Sequence, residues 1–369
     1  MTTTAATDFP SATPRAVEAL LDAPGEWAFL DVREQGAFDE GHPFWATNAP
    51  MSHLEDVMPS LVPRLGTPLV LMDDADGGLA RRAARRLASW GYPDITVLQG
   101  GLQGWRQAGL PVVAGIHVPS KAFGEFIEHH EGTPSISVAD LEGWKAEERE
   151  FHLIDCRPFE EFHESSLPGS VNCPGVELWT RIFSLVTRDS TPIVVHCAGR
   201  TRGIIGAQSL IHAGVANPVF TLRNGLADWL LMGKALAKGN RQVAPPPSPQ
   251  GAAQAREAAS QLAHRCALRT LDAQQLRDLQ ADPQRTLYLF DVRTPEEYDA
   301  GHLPGARSAP GGQLVQTLDA FVGTRGARIV LCDDDGVRAR VTASWLVKMG
   351  WQEVFVLEPG ISEAGGTLE

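Results

Sequence analysis

The chain has 369 residues, of which 43% are hydrophobic and 21% charged, a balance that excludes a largely disordered protein. Its formal net charge of -13 at pH 7 argues against a surface for nucleic acid or for an anionic membrane. No apolar stretch is long enough to span a bilayer, and the N-terminal sequence lacks the basic and apolar segments of a signal peptide. Five cysteines without metal-type spacing indicate free thiols in a reducing compartment, so we expect a cytoplasmic protein without a metal or cofactor.

One sequence pattern occurs three times along the chain. Each copy opens with a short apolar run that ends in an Asp-X-Arg triplet, at Asp31–Arg33, Asp155–Arg157 and Asp291–Arg293. Forty-two residues after each of those aspartates a second apolar run has ended and a polar loop begins, at Asp73, Cys197 and Asp333. The constant offset predicts three structurally equivalent units, of which only the second carries a cysteine at this position.

The composition between the copies predicts the domain boundaries. We expect a first domain over residues 8–114, a second over 132–238 and a third over 266–369, with a Pro-rich linker and a helix over 239–265. Within each unit, short apolar strands alternate with helices. In the second unit the strands are HLIDC, PIVVH and VFTL, and the helix RGIIGAQSLIHAG ends at Gly214. This alternation predicts an α/β fold in which each unit is a small, doubly wound parallel sheet flanked by helices.

The loop that follows the strand PIVVH carries the candidate chemistry. Ligands bind beyond the carboxyl ends of strands in such sheets, and Cys197 lies at such an end. The amide hydrogens of residues 198–203 converge on a helix N-terminus, which is a geometry that binds anions. We therefore expect Cys197 to have a lowered pKa and to be a nucleophile, with Arg200 and Arg202 binding an oxyanion. The alternative is that Cys197 is a buried small hydrophobic residue at a strand end.

Other residues near this loop have structural alternatives. Arg181 is a candidate second anion clamp, or else a charge on a solvated helix face. Asp155 and Arg157 are expected to form a pair that holds the fold rather than to act in catalysis. Cys156 replaces the valine of the other two triplets, so it is interpreted as a core residue, as is Cys332.

The outer units depart from the second at the reactive position. Asp73 lies beside Asp74 and Asp76, and Asp333 opens a run of three aspartates that ends at Asp335. Carboxylates would repel an anionic substrate, so we predict that both outer units are inactive. The acidic runs are interpreted as solvated rather than as metal sites. Arg338 stands where the second unit has Arg202 and is expected to pair with one of those aspartates.

The repeats resemble rhodanese domains, the sulfurtransferase family that is related in fold to the Cdc25 phosphatases. The resemblance rests on the Asp-X-Arg triplets, the strand-Cys-loop-helix segment, and the motifs EEYDAGHLPGA at 296–306 and LQGGLQGW at 98–105. It covers nearly the whole chain apart from the linkers. In the third unit Ala364 stands where the other units have Trp105 and Trp229, so we expect its last helix to be incomplete.

The resemblance implies a persulfide mechanism. Cys197 would take the outer sulfur of a small anionic donor such as thiosulfate and pass it to cyanide, a thiol or a protein acceptor. Arg202 and Arg200 would bind the donor, and the amides of the loop would cradle the persulfide, at Ala198, Gly199, Thr201 and Gly203.

Three alternatives to this mechanism stay open. A phosphatase is one, although cysteine phosphatases place five residues between Cys and Arg, whereas four separate Cys197 from Arg202. A non-catalytic scaffold is another, with the outer units binding a sulfur-carrier protein or forming a homodimer. The third is a redox sensor, in which Cys197 forms a sulfenic acid with peroxide.

Overall fold

The computed structural model describes residues 9–75, 77–186 and 188–361 of the chain. The predictions that concern Asp76 and Ala364 therefore lie outside the described residues. Three five-stranded sheets dominate this part of the chain, and the strand pairs within them are parallel. The α/β prediction with three tandem sheets is confirmed. No helix among the described residues is long and apolar enough to cross a membrane.

The first sheet and its helices occupy the N-terminal third of the chain. Its strands are β1 (Ser11–Ala12), β2 (Ala28–Asp31), β4 (Thr47–Asn48), β5 (Leu69–Met72) and β6 (Ile95–Leu98), with a two-stranded ribbon of β3 (His42–Pro43) and β7 (Val112–Val113). Its helices are α1 (Pro14–Ala19), α2 (Gln35–Glu40), α3 (Leu54–Leu61), α4 (Gly78–Ser89) and α5 (Gly101–Gln107). Short 3-10 turns cover Leu20–Asp22 and Met51–His53, and helix α6 (Val118–Glu131) follows.

The second sheet carries the cysteine-containing loop. Its strands are β8 (Ser135–Ile136), β9 (His152–Asp155), β10 (Val171–Asn172), β11 (Ile193–His196) and β12 (Val219–Leu222). Its helices are α7 (Val138–Ala146), α8 (Phe159–Glu164), α9 (Glu177–Leu185), α10 (Thr201–Ala213) and α11 (Gly225–Leu231). After the Pro-rich segment comes α12 (Pro249–Arg265), which packs against α9. Gly214 ends α10 in the left-handed conformation, which confirms the predicted cap.

The third sheet repeats the arrangement. Its strands are β13 (Arg269–Leu271), β14 (Leu287–Asp291), β15 (Arg307–Ser308), β16 (Arg328–Cys332) and β17 (Val354–Leu357). Its helices are α13 (Ala273–Ala281), α14 (Pro295–Asp299), α15 (Gly311–Gln316), α16 (Leu318–Phe321) and α17 (Arg338–Lys348).

Contacts divide the chain into two compact units that do not coincide with the three sheets. One unit comprises the described residues up to Pro119 together with Arg277–Tyr288 and Thr317–Ile329. The other comprises Ser120–Leu276, Leu289–Gln316 and the described residues from Val330 onward. The second sheet therefore lies wholly in the second unit, with helices α6, α12, α15 and α17.

All three sheets have one topology. The strand orders are β4-β2-β5-β6-β1, β10-β9-β11-β12-β8 and β15-β14-β16-β17-β13. The central strands also share one register, since Asp31 is paired with Met72 in the first sheet and Asp155 with His196 in the second. The offset read from the sequence thus corresponds to equivalent places at the carboxyl edges of the central strands.

The strands of the second sheet are buried on both faces, which explains their continuous apolar sequence. Side chains alternate between the faces of a strand, so successive residues enter different cores. Ile154 and Val195 lie in one buried cluster, and Leu153 and Val194 lie in the other. Two apolar layers therefore hold β9 and β11 in place and fix the position of the loop that follows β11.

Candidate functional site

Cys197 directly follows the central strand β11, where the order of strands in the sheet reverses. Strand β11 pairs with β9 on one side and with β12 on the other, and the chain reaches β10 before it returns to β11. Such a reversal leaves a crevice at the carboxyl ends of the strands. The sequence prediction that Cys197 lies at this edge of the sheet is confirmed.

Glycine at the start of the last helix lets the backbone approach the loop closely. The N–H of Leu226 donates to the carbonyl oxygen of Cys197 at 3.1 Å. A Cβ atom on Gly225, whose φ is 49°, would lie only 2.0 Å from that oxygen. Gly101 has the same relation to Asp73, with a Cβ position 2.4 Å from the carbonyl oxygen. The second glycine of the motif LQGG is thus required by the loop that carries the reactive position.

The sulfur of Cys197 lies in the predicted cradle of amides, but its pKa differs from the prediction. The backbone N–H groups of Gly203 and Gly199 donate to the thiol, and only 2% of the residue is exposed. Burial raises the pKa of Cys197, and the charge of Arg202 with those two N–H groups lowers it without cancelling the effect. The expectation of a lowered pKa was therefore wrong, because the sequence shows the charges around the loop but not the depth of burial.

The two loop arginines have different surroundings. Arg202 binds Glu161 with two hydrogen bonds, of 2.6 Å from Nη1 and 2.9 Å from Nη2. Arg200 extends instead to helix α6, where it binds both carboxylate oxygens of Glu125 at 2.6 and 2.7 Å and also contacts Glu128. Of the two, Arg202 is the one whose charge acts on Cys197.

Arg181 is engaged away from the loop. Its Nη1 donates to the carbonyl oxygen of Ala244 at 2.6 Å, and its Nη2 lies 3.6 Å from Glu177. These contacts join α9 to the chain segment before α12. Its role as an anion clamp stays a prediction.

The remaining residues predicted for the site form the turn between β11 and α10 and the start of that helix. The carbonyl oxygen of Ala198 accepts from the N–H of Ala227 at 3.1 Å, and Thr201 is the first residue of α10. A Cβ on Gly203 would lie 2.9 Å from the hydroxyl of Thr221, so the loop packs closely on β12 at this point. The structure thus brings Ala198, Thr201 and Gly203 together around Cys197.

Asp155 and Arg157 form a buried ion pair below the loop. Arg157 donates to the two carboxylate oxygens of Asp155 at 2.9 and 2.7 Å, and it also contacts the carbonyl oxygen of Ser165. The same arrangement occurs in the other domains, at Asp31–Arg33 with Gly41 and at Asp291–Arg293 with Gly301. Since the domains with aspartate at the reactive position keep this pair, it is explained by the fold alone.

In the first domain, the carboxylate of Asp73 occupies the cradle of amides. Its Oδ1 accepts from the N–H groups of Ala75 and Gly77, both at 3.2 Å. Its Oδ2 accepts from those of Leu79 and Ala80, at 2.9 and 3.0 Å. The loop therefore supplies its own anion to these N–H groups, the carboxylate of Asp73.

The third domain fills its cradle in the same way. Asp333 accepts from the N–H groups of Gly336 and Ala339, each at 2.9 Å. Burial and the neighbouring carboxylate of Asp335 raise the pKa of Asp333 to about 7. Arg338 pairs with Asp334 at 2.9 Å, as predicted.

Sequence reasoning missed the glutamate partner of Arg202, although the repeat contains a signal for it. Arg338 stands at the position of Arg202 and binds Glu297, which precedes it by 41 residues. Glu161 precedes Arg202 by the same 41 residues. A comparison of the second and third copies could have found this pair, whereas the partners of Arg200 lie outside the repeat.

A cavity of about 320 Å³ lies within the second compact unit, between residues of the second and third domains. Its described lining includes Cys156, Arg202 and Gly206 from the second domain and Arg293 and Trp345 from the third. Cys197 is not among the lining residues. The thiol that faces this space is therefore the one that the sequence analysis interpreted as a core residue.

Comparison with known proteins supplies a family for this arrangement. The model of the rhodanese-like domain matches residues 13–108, 137–232 and 272–365, each within one of the predicted domains. A crystal structure of thiosulfate sulfurtransferase from Pseudomonas aeruginosa is 46% identical, with a TM-score of 0.93, over 96% of this chain and 67% of that chain.

Two curated relatives match smaller parts. The 3-mercaptopyruvate sulfurtransferase of Mus musculus is 28% identical over 172 residues, which are 42% of this chain and 54% of that protein. An uncharacterized protein of Bacillus subtilis is 33% identical over 85 residues, which are 23% of this chain and 66% of that protein. The chain thus spans only about half to two thirds of the length of these relatives.

Proposed function

The chain belongs to the rhodanese family, and we propose that it is a sulfurtransferase that moves a sulfane sulfur atom through a persulfide on Cys197. One observation carries the proposal. Cys197 is held by the N–H groups of Gly199 and Gly203 beside the charge of Arg202, at the edge of the sheet where ligands bind. A carboxylate fills the equivalent place in both other domains.

The proposed first step is a nucleophilic substitution at sulfur. The Cys197 thiolate attacks the outer sulfur of thiosulfate, the sulfur–sulfur bond of the donor breaks, and sulfite leaves with the electron pair of that bond. The terminal sulfur of the resulting persulfide carries the negative charge. The N–H groups of Gly199 and Gly203 lie at the Cys197 sulfur, next to this charge, so we expect them to favour the charged persulfide over the neutral thiol.

Arg202 is the residue that we assign to donor binding. Its guanidinium offers planar donors that suit the oxygen atoms of a sulfonate-like group. Glu161 occupies those donors in this structure, and its side chain is 39% exposed. A dianionic donor would compete with this carboxylate, whereas Arg200 is bound by two glutamates on α6. We therefore expect Arg202 to contribute more than Arg200 to donor affinity.

We propose a donor from the activities of the relatives, and with it an acceptor. The Pseudomonas aeruginosa structure is that of a thiosulfate sulfurtransferase, so thiosulfate is the donor that we propose. The mouse relative is a 3-mercaptopyruvate sulfurtransferase, so that compound is the donor to compare with it. A thiol or a sulfur-carrier protein would accept the sulfur, with the two outer domains as candidate surfaces for it.

Mass spectrometry of the intact protein tests the proposal. We expect the reduced wild type to release sulfite on exposure to thiosulfate and, at early times, to carry one added sulfur atom that cyanide removes. Cys197→Ser should do neither. Cys266→Ser is a matched control, because Cys266 is a partly exposed thiol outside the loop, and it should be loaded like the wild type. If neither donor is cleaved, with no sulfite or pyruvate released and no sulfur added at any time, the sulfurtransferase proposal is wrong, and phosphatase or scaffold functions become the ones to test.

A further inference from the structure

Cys156 and Cys197 occupy neighbouring positions on one face of the second sheet. Asp155 and His196 are register partners that end β9 and β11, and each cysteine is the next residue of its strand. Side chains alternate along a strand, so the two cysteines point to the same face. Both belong to the apolar cluster that also includes Ala207 of helix α10.

Hydrogen bonds place the two residues side by side. The N–H of Cys156 donates to the carbonyl oxygen of His196 at 3.0 Å, and the Cys156 thiol lies 3.1 Å from the same oxygen. That carbonyl belongs to the peptide bond that leads into Cys197. Adjacent strands are separated by about 4.8 Å. Cα atoms at about this separation are within the range that a disulfide bridges, about 4.4–6.8 Å.

Helix α10 packs directly against the Cys156 sulfur. Helix α10 crosses this face with a glycine, and a Cβ atom on Gly206 would lie 3.7 Å from the sulfur of Cys156. A negative charge on Cys197 raises the pKa of Cys156, after the larger effect of burial, so each thiol lies within the electrostatic reach of the other. Arg202 acts on both, since its charge lowers the pKa of each thiol against burial.

The three domains of the chain differ at this position in a way that matches their chemistry. The residue that follows the first aspartate of the triplet is Val32 in the first domain and Val292 in the third. Among the three domains, only the one with Cys197 has a cysteine there, so a domain carries cysteines at both of these positions or at neither. Cys156 also lines the cavity of about 320 Å³.

We propose that Cys156 is a resolving residue that converts the Cys197 persulfide into a Cys156–Cys197 disulfide and releases the outer sulfur as hydrosulfide. The inference rests on the proposed function, because it begins from the persulfide. The Cys156 sulfur attacks the inner sulfur, which is that of Cys197, and forms the new bond. The bond between the inner and outer sulfur breaks, and the outer sulfur leaves with its electron pair and the thiol proton as hydrosulfide.

This step balances without an added oxidant, since the sulfane sulfur itself is reduced to hydrosulfide while the two thiols are oxidised. Both sulfurs are buried, and an intramolecular attack does not require the attacking thiol to reach solvent. In the presence of an external acceptor thiol, sulfur transfer and resolution would compete. In its absence the enzyme would stop after one turnover as the disulfide.

The test compares full-length wild type with Cys156→Val and Cys197→Ser, each reduced, freed of reductant and exposed to thiosulfate without an acceptor. Valine is the matched replacement, since the other two domains carry it at this position. Sulfite, hydrosulfide and intact mass are followed with time. Unreduced peptides are then mapped for a link between the segments 151–157 and 193–200.

We expect wild type to release sulfite, then hydrosulfide, and to end two hydrogens lighter with the 156–197 link. Cys156→Val should release the same sulfite but keep the added sulfur, with no hydrosulfide. Equal persulfide lifetimes in these two proteins, with no linked peptide, would overturn the inference and leave the sulfurtransferase proposal standing. Absence of sulfite release from the wild type would instead overturn both. As an independent check of geometry, a thiol oxidant such as diamide should link the same two peptides in the reduced wild type, and failure to do so also overturns the inference.

Discussion

Replacing Asp73 of the first domain is the most direct test of whether the cradle of amides requires a buried anion. Asp73 is 6% exposed and accepts four backbone hydrogen bonds, two at each carboxylate oxygen. In the variant Asp73→Asn the shape is kept but one oxygen becomes an NH₂ group. We expect the remaining oxygen to retain the shorter bonds from Leu79 and Ala80, so that the amide faces the N–H groups of Ala75 and Gly77.

The magnitude follows from the number of bonds lost. Each hydrogen bond to a charged acceptor contributes about 1.5–3 kcal/mol, and two are lost. Ala75 is only half-buried, so water replaces part of that loss. We therefore expect opening of the loop and of the start of α4 to become easier by about 3 kcal/mol, which corresponds to roughly a hundredfold in the opening equilibrium.

Hydrogen exchange of peptides covering residues 69–89 measures this opening directly, which matters because a single unfolding free energy is poorly defined for a chain of several domains. Asp74→Asn is the matched control. Its carboxylate is 68% exposed and contacts Arg33 at 2.9 Å, so exchange should change by no more than a few-fold. Similar exchange in the two variants would refute the view that the cradle requires a buried anion.

Three further predictions concern the charges around the loops. Arg202→Ala should lower kcat/KM for thiosulfate by about 10²–10³, since it removes a preorganised charge beside Cys197, and Arg202→Lys should retain part of the activity. Sulfite release measures both variants, and an unchanged rate in Arg202→Ala would contradict the assignment of Arg202 to donor binding. Glu161→Gln should lower KM for thiosulfate by up to about fivefold, because the partly exposed ion pair between Glu161 and Arg202, of about 1 kcal/mol, no longer competes with the donor. A raised KM would show instead that Glu161 holds Arg202 in place. The folded-state pKa of Asp333, about 7, lies above its ordinary value of 3.8, so its contribution to stability is full below about pH 4 and is lost as pH rises through 7. Hydrogen exchange of peptides covering residues 328–348 in wild type and Asp333→Asn should therefore give opening free energies whose difference changes by up to about 4 kcal/mol over this pH range, and a constant difference would contradict it.

Much of the fold could be read from the repeat alone. The 42-residue offset locates the ends of the two central strands in each domain, because their parallel pairing fixes which residues reach the same edge. The motif LQGG was recognised from the sequence, and the structure explains its second glycine by the approach of the equivalent Gly225 to the carbonyl of Cys197. These features are local or repeated, so the sequence contains them.

The features that the sequence did not predict depend on distant segments. Arg200 finds its partners on α6, about 75 residues earlier, and nothing in the loop indicates them. The pKa of Cys197 depends on burial by helix and loop, which outweighs the nearby charge of Arg202. The second thiol, Cys156, was assigned to the core from its place in the triplet, and it does lie there, but its nearness to Cys197 follows only from the pairing of β9 with β11.

The three loops together show how one fold holds an aspartate in two domains and a cysteine in the third at the equivalent position. Backbone N–H groups that converge on one point need an acceptor, since unpaired buried donors are costly. In the outer domains an aspartate side chain accepts from them, with Asp73 accepting four bonds. In the second domain the acceptor is the thiol of Cys197, a weaker partner, with the pKa raised by burial. A persulfide would bring a negative charge to the place where the first domain has the carboxylate of Asp73. The same requirement that stabilises the outer domains as folds would therefore favour sulfur loading in the second.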